Sequence, residues 1–225
     1  EVLTFGTPRR LALLVKGVAE TQQDKLEEVK GPARKAAFDA AGQLTKAGQG
    51  FARSQGVAVK DLEIRETPAG EYVFALKRMQ GRAVAEVLPQ ILPGFITGLN
   101  FPKPMRWGYG EMRFARPIHW LVALYGAEVI PFNLGDLQSG RLTFGHRFLG
   151  QGQISLEKAD DYLPRLKENY VIADPAERRE LIWRQIQDLV AQEGGRVEPD
   201  DELLEEVTYL LEYPTALCGS FADHY

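Results

Sequence analysis

The run PIHWLVALYG at residues 117–126, followed after one residue by EVIPFNLG at residues 128–135, sets the expected fold. Both runs are apolar and rich in β-branched and aromatic residues. Gly126 and Ala127 separate them, so a β-hairpin is the simplest prediction. RLTFGHRF at residues 141–148 supplies a further strand. Together these runs predict an α+β fold, with a mixed or antiparallel sheet and helices packed on it.

The chain before this hairpin is predicted to alternate between strands and helices. RLALLVKGVA indicates a strand buried on both faces, with Leu11, Leu13 and Val15 on one face and Ala12 and Leu14 on the other. EYVFALKRM indicates another strand. Helical patterns occur in ARKAAFDAAG, TKAGQGFARSQG and RAVAEVLPQILPGFITGL. We expect Pro89 and Pro93 to shorten or kink the last of these helices.

After Gly150 the pattern becomes helical. In ADPAERRELIWRQIQDLVAQEGG, Asp174 is the expected N-cap and Pro175 the first helical residue. DDELLEEVTYLLEYP repeats the pattern, with a predicted apolar stripe of Leu203, Leu204, Val207, Leu210 and Leu211. The change in pattern predicts two domains, an α+β domain over residues 1–150 and a mainly helical segment over residues 151–225.

Composition excludes several classes of protein. The chain has 225 residues, of which 44% are hydrophobic, so it is expected to fold around a core. It has no apolar run long enough to span a bilayer and no secretory signal, which predicts an intracellular protein. The lone Cys218 is expected to be a buried, inert thiol. The chain starts without methionine and ends at FADHY, so it is expected to be a piece of a longer protein.

Charge is unevenly distributed along the chain. Residues 1–150 contain 20 Lys and Arg against 14 Asp and Glu, whereas residues 151–225 contain 7 against 17. The first part is suited to meeting a polyanion, and the second part would repel one. Two differently solvated surfaces explain the same counts equally well.

The usual catalytic motifs are absent from the sequence. It contains no phosphate-binding GxxxxGK[ST], no GxGxxG after a strand, no HExxH and no cysteine pair with zinc spacing. Of its three histidines, His119 is expected at a core or sheet-face position and His224 carries no argument. His146 lies between Gly145 and Arg147, where either a ligand contact or a structural turn is expected. No catalytic residue and no metal ligand is predicted.

Basic residues are concentrated among aromatic ones between positions 103 and 147. This segment contains six Lys and Arg and only three acidic residues. Arginine beside Trp107, Tyr109, Phe114 and Trp120 is suited to phosphate binding and base stacking in RNA. The alternative is that these arginines stack on aromatics and pair with Glu111, Glu128 or Asp136 inside the fold. The candidate RNA contacts are Arg106, Arg113, Arg116, Arg141, His146 and Arg147, with Arg9, Arg10, Lys46 and Arg53 from shorter basic stretches.

Several long motifs occur here in a fixed order: TPRRLALLV, KGPARKAAFDAAGQLTKAGQGFAR, MRWG, RFARPIHWLVALYG, VIPF, SGRLTFGHRF, YVIADPAERRELI and LLEEVTYLLEYP. In this order and spacing they resemble the β subunit of the bacterial glycyl-tRNA synthetase, over nearly the whole chain. Several long motifs in register are far more specific than any single one.

The resemblance implies a tetrameric, two-subunit enzyme that joins glycine to its tRNA with ATP and magnesium. It places the aminoacylation site on a smaller α subunit, so ATP and magnesium are expected there and no cofactor is expected on this chain. It assigns tRNA binding to the β subunit, and to this N-terminal portion a fold similar to the editing domain of the phenylalanyl-tRNA synthetase β subunit. The expected partners are the α subunit and glycine tRNA. The protein is expected in the cytoplasm and not at a membrane.

The departures from the family pattern limit what this chain is expected to do. The opening segment with its GTEELP-like motif is absent, and so are the elements that follow EYPTALCGSF. The chain alone is therefore expected to lack ligase activity. Three roles stay open: an RNA-contacting module, a structural domain that contacts the α subunit, and an editing deacylase. The last role rests on similarity of fold alone, and fold does not fix function.

Overall fold

A computed structural model describes residues 1–39, 41–107 and 110–221. Its contacts group the chain into two compact units. The discontinuous unit consists of Glu1–Val18 and Leu88–Tyr225, and the inserted unit is Ala19–Val87. This grouping differs from the predicted division at residue 150, because residues 151–225 share a unit with the first strands of the chain.

The regular elements cover much of the described chain. In chain order the strands are β1 (Val2–Thr7), β2 (Arg10–Val15), β3 (Lys25–Ala33), β4 (Leu62–Thr67), β5 (Gly70–Met79), β6 (Met105–Arg106), β7 (Arg113–Phe114), β8 (Leu121–Val122), β9 (Leu124–Tyr125), β10 (Glu128–Val129), β11 (Asn133–Leu134), β12 (Leu137–Gly140), β13 (Leu142–Phe144) and β14 (Gln153–Ser155). The helices are α1 (Arg34–Ala37), α2 (Lys46–Gln55), α3 (Val84–Thr97), α4 (Tyr162–Glu168), α5 (Pro175–Gln192) and α6 (Asp201–Leu210). The predicted α+β class is confirmed.

The inserted unit is a three-stranded antiparallel sheet in the order β3-β5-β4, with α1 and α2 in contact with it. Val73 and Ala75 on the central strand are fully buried. The strand predicted at EYVFALKRM and the helix predicted at TKAGQGFARSQG are confirmed as β5 and α2. The helix predicted at residues 33–42 is much shorter, because α1 ends at Ala37.

The discontinuous unit contains several small sheets. β1 pairs antiparallel with β2, β6 with β7, β9 with β10, β11 with β12 and β13 with β14, whereas β12 runs parallel to β8. The predicted hairpin is confirmed at β9 and β10, where Gly126 has a φ of 58° in the left-handed region that favours glycine. A core joins the first hairpin to later elements: Phe5, Ile154, Leu156, Leu166, Val171 and Ala173.

The predicted strand at RLALLVKGVA is confirmed as β2, but its expected burial on both faces is wrong. Ala12 and Leu14 pack against the core, while Leu11, Leu13 and Val15 are 59%, 46% and 41% exposed. These exposed residues alternate along the strand and share one face, because successive side chains of a strand point to opposite sides. The first hairpin is therefore covered on one face only.

The two long C-terminal helices begin as predicted. Asp174 accepts hydrogen bonds from the N–H groups of Ala176 and Glu177 at the start of α5, and Asp200 accepts from Leu203 at the start of α6. The predicted apolar stripe of α6 is only partly correct: Leu204 is buried, but Leu203 and Leu210 are 55% and 67% exposed.

Of the two effects predicted for Pro89 and Pro93, shortening or kinking of the helix, shortening is not observed. α3 runs from Val84 to Thr97 with Pro89 and Pro93 inside it. A proline removes one N–H donor from the helical ladder, and the remaining bonds of this apolar segment keep it continuous. The Thr97 hydroxyl adds a donor near the end of the helix, at 3.0 Å from the Pro93 carbonyl oxygen.

Two further findings concern membranes and the cysteine. Within the part of the chain that the structure describes, no helix has the length and apolar character required to cross a bilayer. Cys218 is exposed, so the prediction of a buried thiol is wrong. The stretch TALCGSF, residues 215–221, contains Cys218 and forms neither a helix nor a strand.

Candidate nucleic-acid interface

Three of the predicted arginines form an exposed basic stretch, which we call the arginine segment (Arg106, Arg113 and Arg116). Arg106 and Arg113 are directly opposite each other in the β6–β7 pair, so two positive side chains share one face. Like charges in this position repel each other, and an anion between them would relieve the repulsion. Arg106 has a weak partner in Glu111 at 3.8 Å, and the Glu111 side chain is 96% exposed.

Arg113 and Arg116 are both exposed. Among the described residues, the structure gives neither side chain an ion pair or a hydrogen bond. Their predicted alternative partners, Glu128 and Asp136, form no ion pair with any arginine in the described ranges. These two guanidinium groups are thus available to a ligand. Tyr109, predicted to be part of the same setting, lies outside the described residues, as does His224.

Arg141 has a different environment from the arginine segment. Its Nη1 donates to the carbonyl oxygens of Leu156 at 2.9 Å and Glu157 at 3.2 Å, and its Nη2 donates to that of Ala127 at 3.0 Å. This guanidinium ties β13 to the turn before β10 and to the residues after β14. Because its donors are used by backbone acceptors, Arg141 is better suited to holding the fold than to binding RNA.

Arg9 and Arg10 are part of a compact group, which we call the arginine–tryptophan cluster (Arg9, Arg10, Trp120, Phe144 and Glu212). Arg10 is buried, and its Nε donates to Glu212 Oε1 at 2.8 Å. Its Nη1 donates to the Phe144 carbonyl oxygen, also at 2.8 Å. Arg9 is more exposed and lies 3.7 Å from Glu212 Oε2. The buried pair fixes Arg10 in the fold and leaves Arg9 nearer the surface.

Aromatic rings complete this cluster. The guanidinium carbons of Arg9 and Arg10 lie 6.0 and 5.7 Å from the centre of the Trp120 ring, and the Phe144 ring lies 5.0 Å from it. Cations at this distance from an indole are attracted by its negative face. His119, next to Trp120, is exposed and precedes β8, so its predicted core or sheet-face position is wrong.

Glu212 and its partner Thr7 were not among the predicted residues. The Thr7 hydroxyl donates to Glu212 Oε1 at 2.7 Å. Glu212 follows α6 and is 202 residues from Arg10. A buried carboxylate with an arginine and a hydroxyl partner is a common way to satisfy charge inside a protein. No local pattern relates these positions, so the sequence offers no signal for the pair.

Tyr162 provides a test of the electrostatics around the arginine–tryptophan cluster. Burial raises the pKa of Tyr162 above its ordinary 10.0, and the positive charge of Arg10 opposes this change. A raised folded-state pKa means that the stability from the neutral phenol is complete below about pH 10 and is lost as pH rises through the folded-state value.

We therefore expect Tyr162→Phe to reduce the alkaline loss of stability. Urea unfolding at about pH 8 and about pH 11 measures this loss for each protein. The wild-type chain should lose more free energy of unfolding between the two conditions than the variant does. Tyr170→Phe, at a residue that is 44% exposed, is the control. An equal loss in wild type and Tyr162→Phe would contradict a raised pKa for Tyr162 in the folded chain.

His146 forms a tight turn with the next three residues, which we call the His146 turn (residues 146–149). Its Nδ1 accepts hydrogen bonds from the N–H groups of Phe148 at 3.3 Å and Leu149 at 3.2 Å. Because Nδ1 accepts, the proton of the neutral ring is assigned to Nε2. Of the two roles predicted for His146, the structural turn is the one that this geometry supports. Arg147 is exposed beside it.

The remaining predicted contacts, Lys46 and Arg53, lie in the inserted unit. Both are exposed on α2, which starts after Thr45 and ends at Gly56. Exposed basic residues on a helix are also the ordinary way to solvate it.

Arg178 was not predicted from the sequence either, and it is the largest fully buried side chain of the described chain. It lies on α5 and donates from Nε to the Thr208 carbonyl oxygen at 2.7 Å and from Nη2 to that of Gly6 at 2.9 Å. Its Nη1 donates to the carbonyl oxygens of Ile172 and Ala173. One guanidinium thus connects β1, α5 and α6. Burial lowers the pKa of Arg178, and the nearby Tyr209 opposes this.

Comparison with known proteins identifies the family. The model of the family described as glycyl-tRNA synthetase beta subunit matches residues 1–225. The chain is 57% identical to the glycine–tRNA ligase beta subunit of Desulforamulus reducens and 56% identical to that of Moorella thermoacetica, over all of this chain and 32% of each relative. It is 49% identical to the Bacillus subtilis protein of the same name, over all of this chain and 33% of that relative.

These matches cover the whole chain, so the chain belongs to the glycyl-tRNA synthetase beta subunit family. Its relatives are named as subunits of an aminoacyl-tRNA synthetase, a ligase. The chain spans about a third of the length of the curated relatives that it matches.

Proposed function

We propose that this chain is the part of a glycine–tRNA ligase β subunit that contacts tRNA. In this proposal a separate α subunit carries the aminoacylation site with ATP and magnesium, and the two subunits form a tetramer in the cytoplasm. The chain itself holds no cofactor and does not charge tRNA alone. Family membership supports the glycine–tRNA ligase assignment, and the α+β class is compatible with the editing-type fold that the resemblance implies.

The observation that carries the RNA-binding proposal is the arginine segment. Arg113 and Arg116 are exposed cations without partners among the described residues, and Arg106 has only a weak one. A guanidinium fork matches the geometry of a phosphate, and RNA supplies phosphates at regular spacing. Arg10 and Arg141 are left out of the proposed contact set, because Arg10 is buried against Glu212 and both Nη nitrogens of Arg141 donate to backbone carbonyl oxygens. Arg9, Arg147, Lys46 and Arg53 stay in it.

The experiment is a salt series with glycine tRNA and with an unrelated tRNA, on the wild-type chain and on Arg113→Ala/Arg116→Ala. Loss of two phosphate contacts should reduce the slope of log affinity against log salt by about two, and lower affinity roughly 10- to 100-fold at about 0.1 M salt. The reason is that each neutralised phosphate releases counterions. A higher affinity for glycine tRNA would add specificity to binding.

The matched control is Arg165→Ala/Arg184→Ala. It removes the same charge from exposed arginines that are paired, with Glu168 at 2.9 Å and Glu180 at 2.8 Å. If both double variants weaken binding equally, net charge and not the arginine segment explains the result. If the wild-type chain binds neither tRNA at low salt, an RNA-contacting role for this chain is wrong.

A second candidate function is contact with the α subunit. The observation that favours it is the uncovered apolar face of the first hairpin, where Leu11, Leu13 and Val15 are exposed. An apolar face of this kind is a frequent feature of protein interfaces. Binding of the α subunit without binding of tRNA would support this candidate. The editing deacylase has no supporting constellation among the described residues and is the weakest of the three roles.

A further inference from the structure

The His146 turn exposes an aromatic ring that the fold does not use. Phe148 is 82% exposed and Leu149 is 50% exposed. An aromatic side chain left in water forgoes the stabilisation that burial would provide. Phe148 therefore contributes little to the stability of the chain through burial, and its ring is accessible to a ligand.

The backbone beneath this ring is held in place by several hydrogen bonds. The two bonds to His146 Nδ1 close the turn, and the Gly150 N–H donates to the His146 carbonyl oxygen at 2.9 Å. The His146 N–H donates to the Asn169 carbonyl oxygen, also at 2.9 Å. A Cβ atom added at Gly150 would lie 2.7 Å from His146 N, so only glycine fits there. The turn thus presents Phe148 on an ordered backbone, which lowers the entropic cost of binding.

A cation accompanies the ring. The Arg147 guanidinium carbon lies 5.6 Å from the centre of the Phe148 ring, and the His146 ring centre lies 6.2 Å from it. Among the described residues Arg147 has no carboxylate partner. An exposed ring with an unneutralised guanidinium beside it matches a nucleotide, which offers a flat base to the ring and a phosphate to the cation.

From this geometry we infer that Phe148 is a stacking site for an unpaired base of RNA. The inference rests on the proposed RNA-binding function and makes it specific. The ligand class is a single-stranded or looped segment and not a duplex, because the faces of bases inside a helix are already covered by their neighbours. Arg147 holds the adjoining phosphate, and His146 positions both side chains through the backbone of the turn.

The test measures binding of the full chain to a single-stranded RNA 12-mer and to a 12-base-pair RNA duplex. Phe148→Ala should lower affinity for the single strand about 5- to 100-fold, the range typical of one lost base stack. The slope of log affinity against log salt should not change, because no charge is removed. Phe148→Trp should retain binding, and duplex affinity should be the same in all variants.

Leu149→Ala is the matched control, since it removes exposed apolar surface from the same turn without removing a ring. Cross-linking of 5-iodouridine RNA, followed by mass spectrometry, should identify residue 148 as a site of attachment in the wild-type chain. Thermal unfolding should be the same for wild type and Phe148→Ala, which excludes a folding defect as the cause of weaker binding.

The outcomes separate this inference from the proposed function. Salt-sensitive RNA binding that is equal in wild type and Phe148→Ala would overturn the stacking site and leave the RNA-contacting role intact. Absence of any RNA binding by the wild-type chain would overturn both. If Phe148→Ala weakened binding to the α subunit and not to RNA, the ring would belong to a protein interface and the inference would be wrong.

Discussion

Replacing Arg178 with methionine is expected to lower the free energy of unfolding by at least about 4 kcal/mol. The Arg178 guanidinium donates to four backbone carbonyl oxygens, on Gly6, Ile172, Ala173 and Thr208. Methionine fills a similar length but donates no hydrogen bond. Each buried acceptor left without a donor costs roughly 1–3 kcal/mol, and partial relaxation makes the sum smaller than the individual costs suggest.

Urea unfolding followed by tryptophan fluorescence measures this loss in the correct part of the molecule. All three tryptophans, Trp107, Trp120 and Trp183, lie in the discontinuous unit, which also contains Arg178. The matched control is Arg179→Met, because Arg179 is the next residue of α5 and its side chain is 42% exposed. Its ion pair with Asp201 should be worth less than about 1 kcal/mol. A loss for Arg178→Met as small as the loss for Arg179→Met would contradict the stabilising role of the four Arg178 hydrogen bonds.

The second large effect is expected at Glu212. Glu212→Leu should destabilise the chain by about 3–5 kcal/mol, because it leaves the buried guanidinium of Arg10 without its carboxylate. The Thr7 hydroxyl would lose its acceptor in the same variant.

A double variant tests whether the cost comes from an uncompensated charge. Arg10→Met/Glu212→Leu replaces both partners with apolar side chains, and we expect it to recover most of the stability that Glu212→Leu loses. Glu206→Leu, at an exposed position on α6, is the control and should change stability by less than about 0.5 kcal/mol. If the double variant is as unstable as Glu212→Leu, lost packing and not charge explains the effect.

Local signals predicted the elements that depend on local chemistry. Asp174 before Pro175 predicts the start of α5, since a carboxylate there satisfies free N–H groups of the first turn. The Gly126 turn is predicted for the same kind of reason, because its positive φ favours glycine. In both cases the residues that decide the structure are neighbours in the chain.

The burial of a strand face and the grouping of elements into compact units depend on residues that are distant in the chain. Local sequence patterns were insufficient to predict either. An alternating or continuous apolar strand pattern does not reveal whether a second layer covers its outer face, and for Leu11 and Leu13 the described chain provides none. The predicted domain boundary followed the change from strands to helices at residue 150. The contacts follow long-range packing instead, which places β1 and α5 in one unit.

For the candidate interface, only the exposure of the predicted contacts can be compared with the structure. The exposed positions of Arg113 and Arg116 agree with the type of surface predicted from their aromatic setting. Residue type alone could not separate them from Arg10 and Arg141, whose partners are distant carboxylate and carbonyl oxygens. The exposure of Phe148 could not be predicted from RLTFGHRF, because a phenylalanine next to a strand is usually buried.

The discontinuous unit has a consequence for how the chain is made. Arg10 leaves the ribosome 202 residues before Glu212, which at cellular elongation rates is a delay of roughly 10–40 s. During that time the first hairpin lacks the later elements that cover its buried face, and an isolated hairpin is marginally stable in water. Residues 19–87 are complete much earlier. We expect nascent chains to gain protease resistance first in the inserted unit. The hairpin should stay protease-sensitive until the later elements are made, and during that time it is available to chaperones.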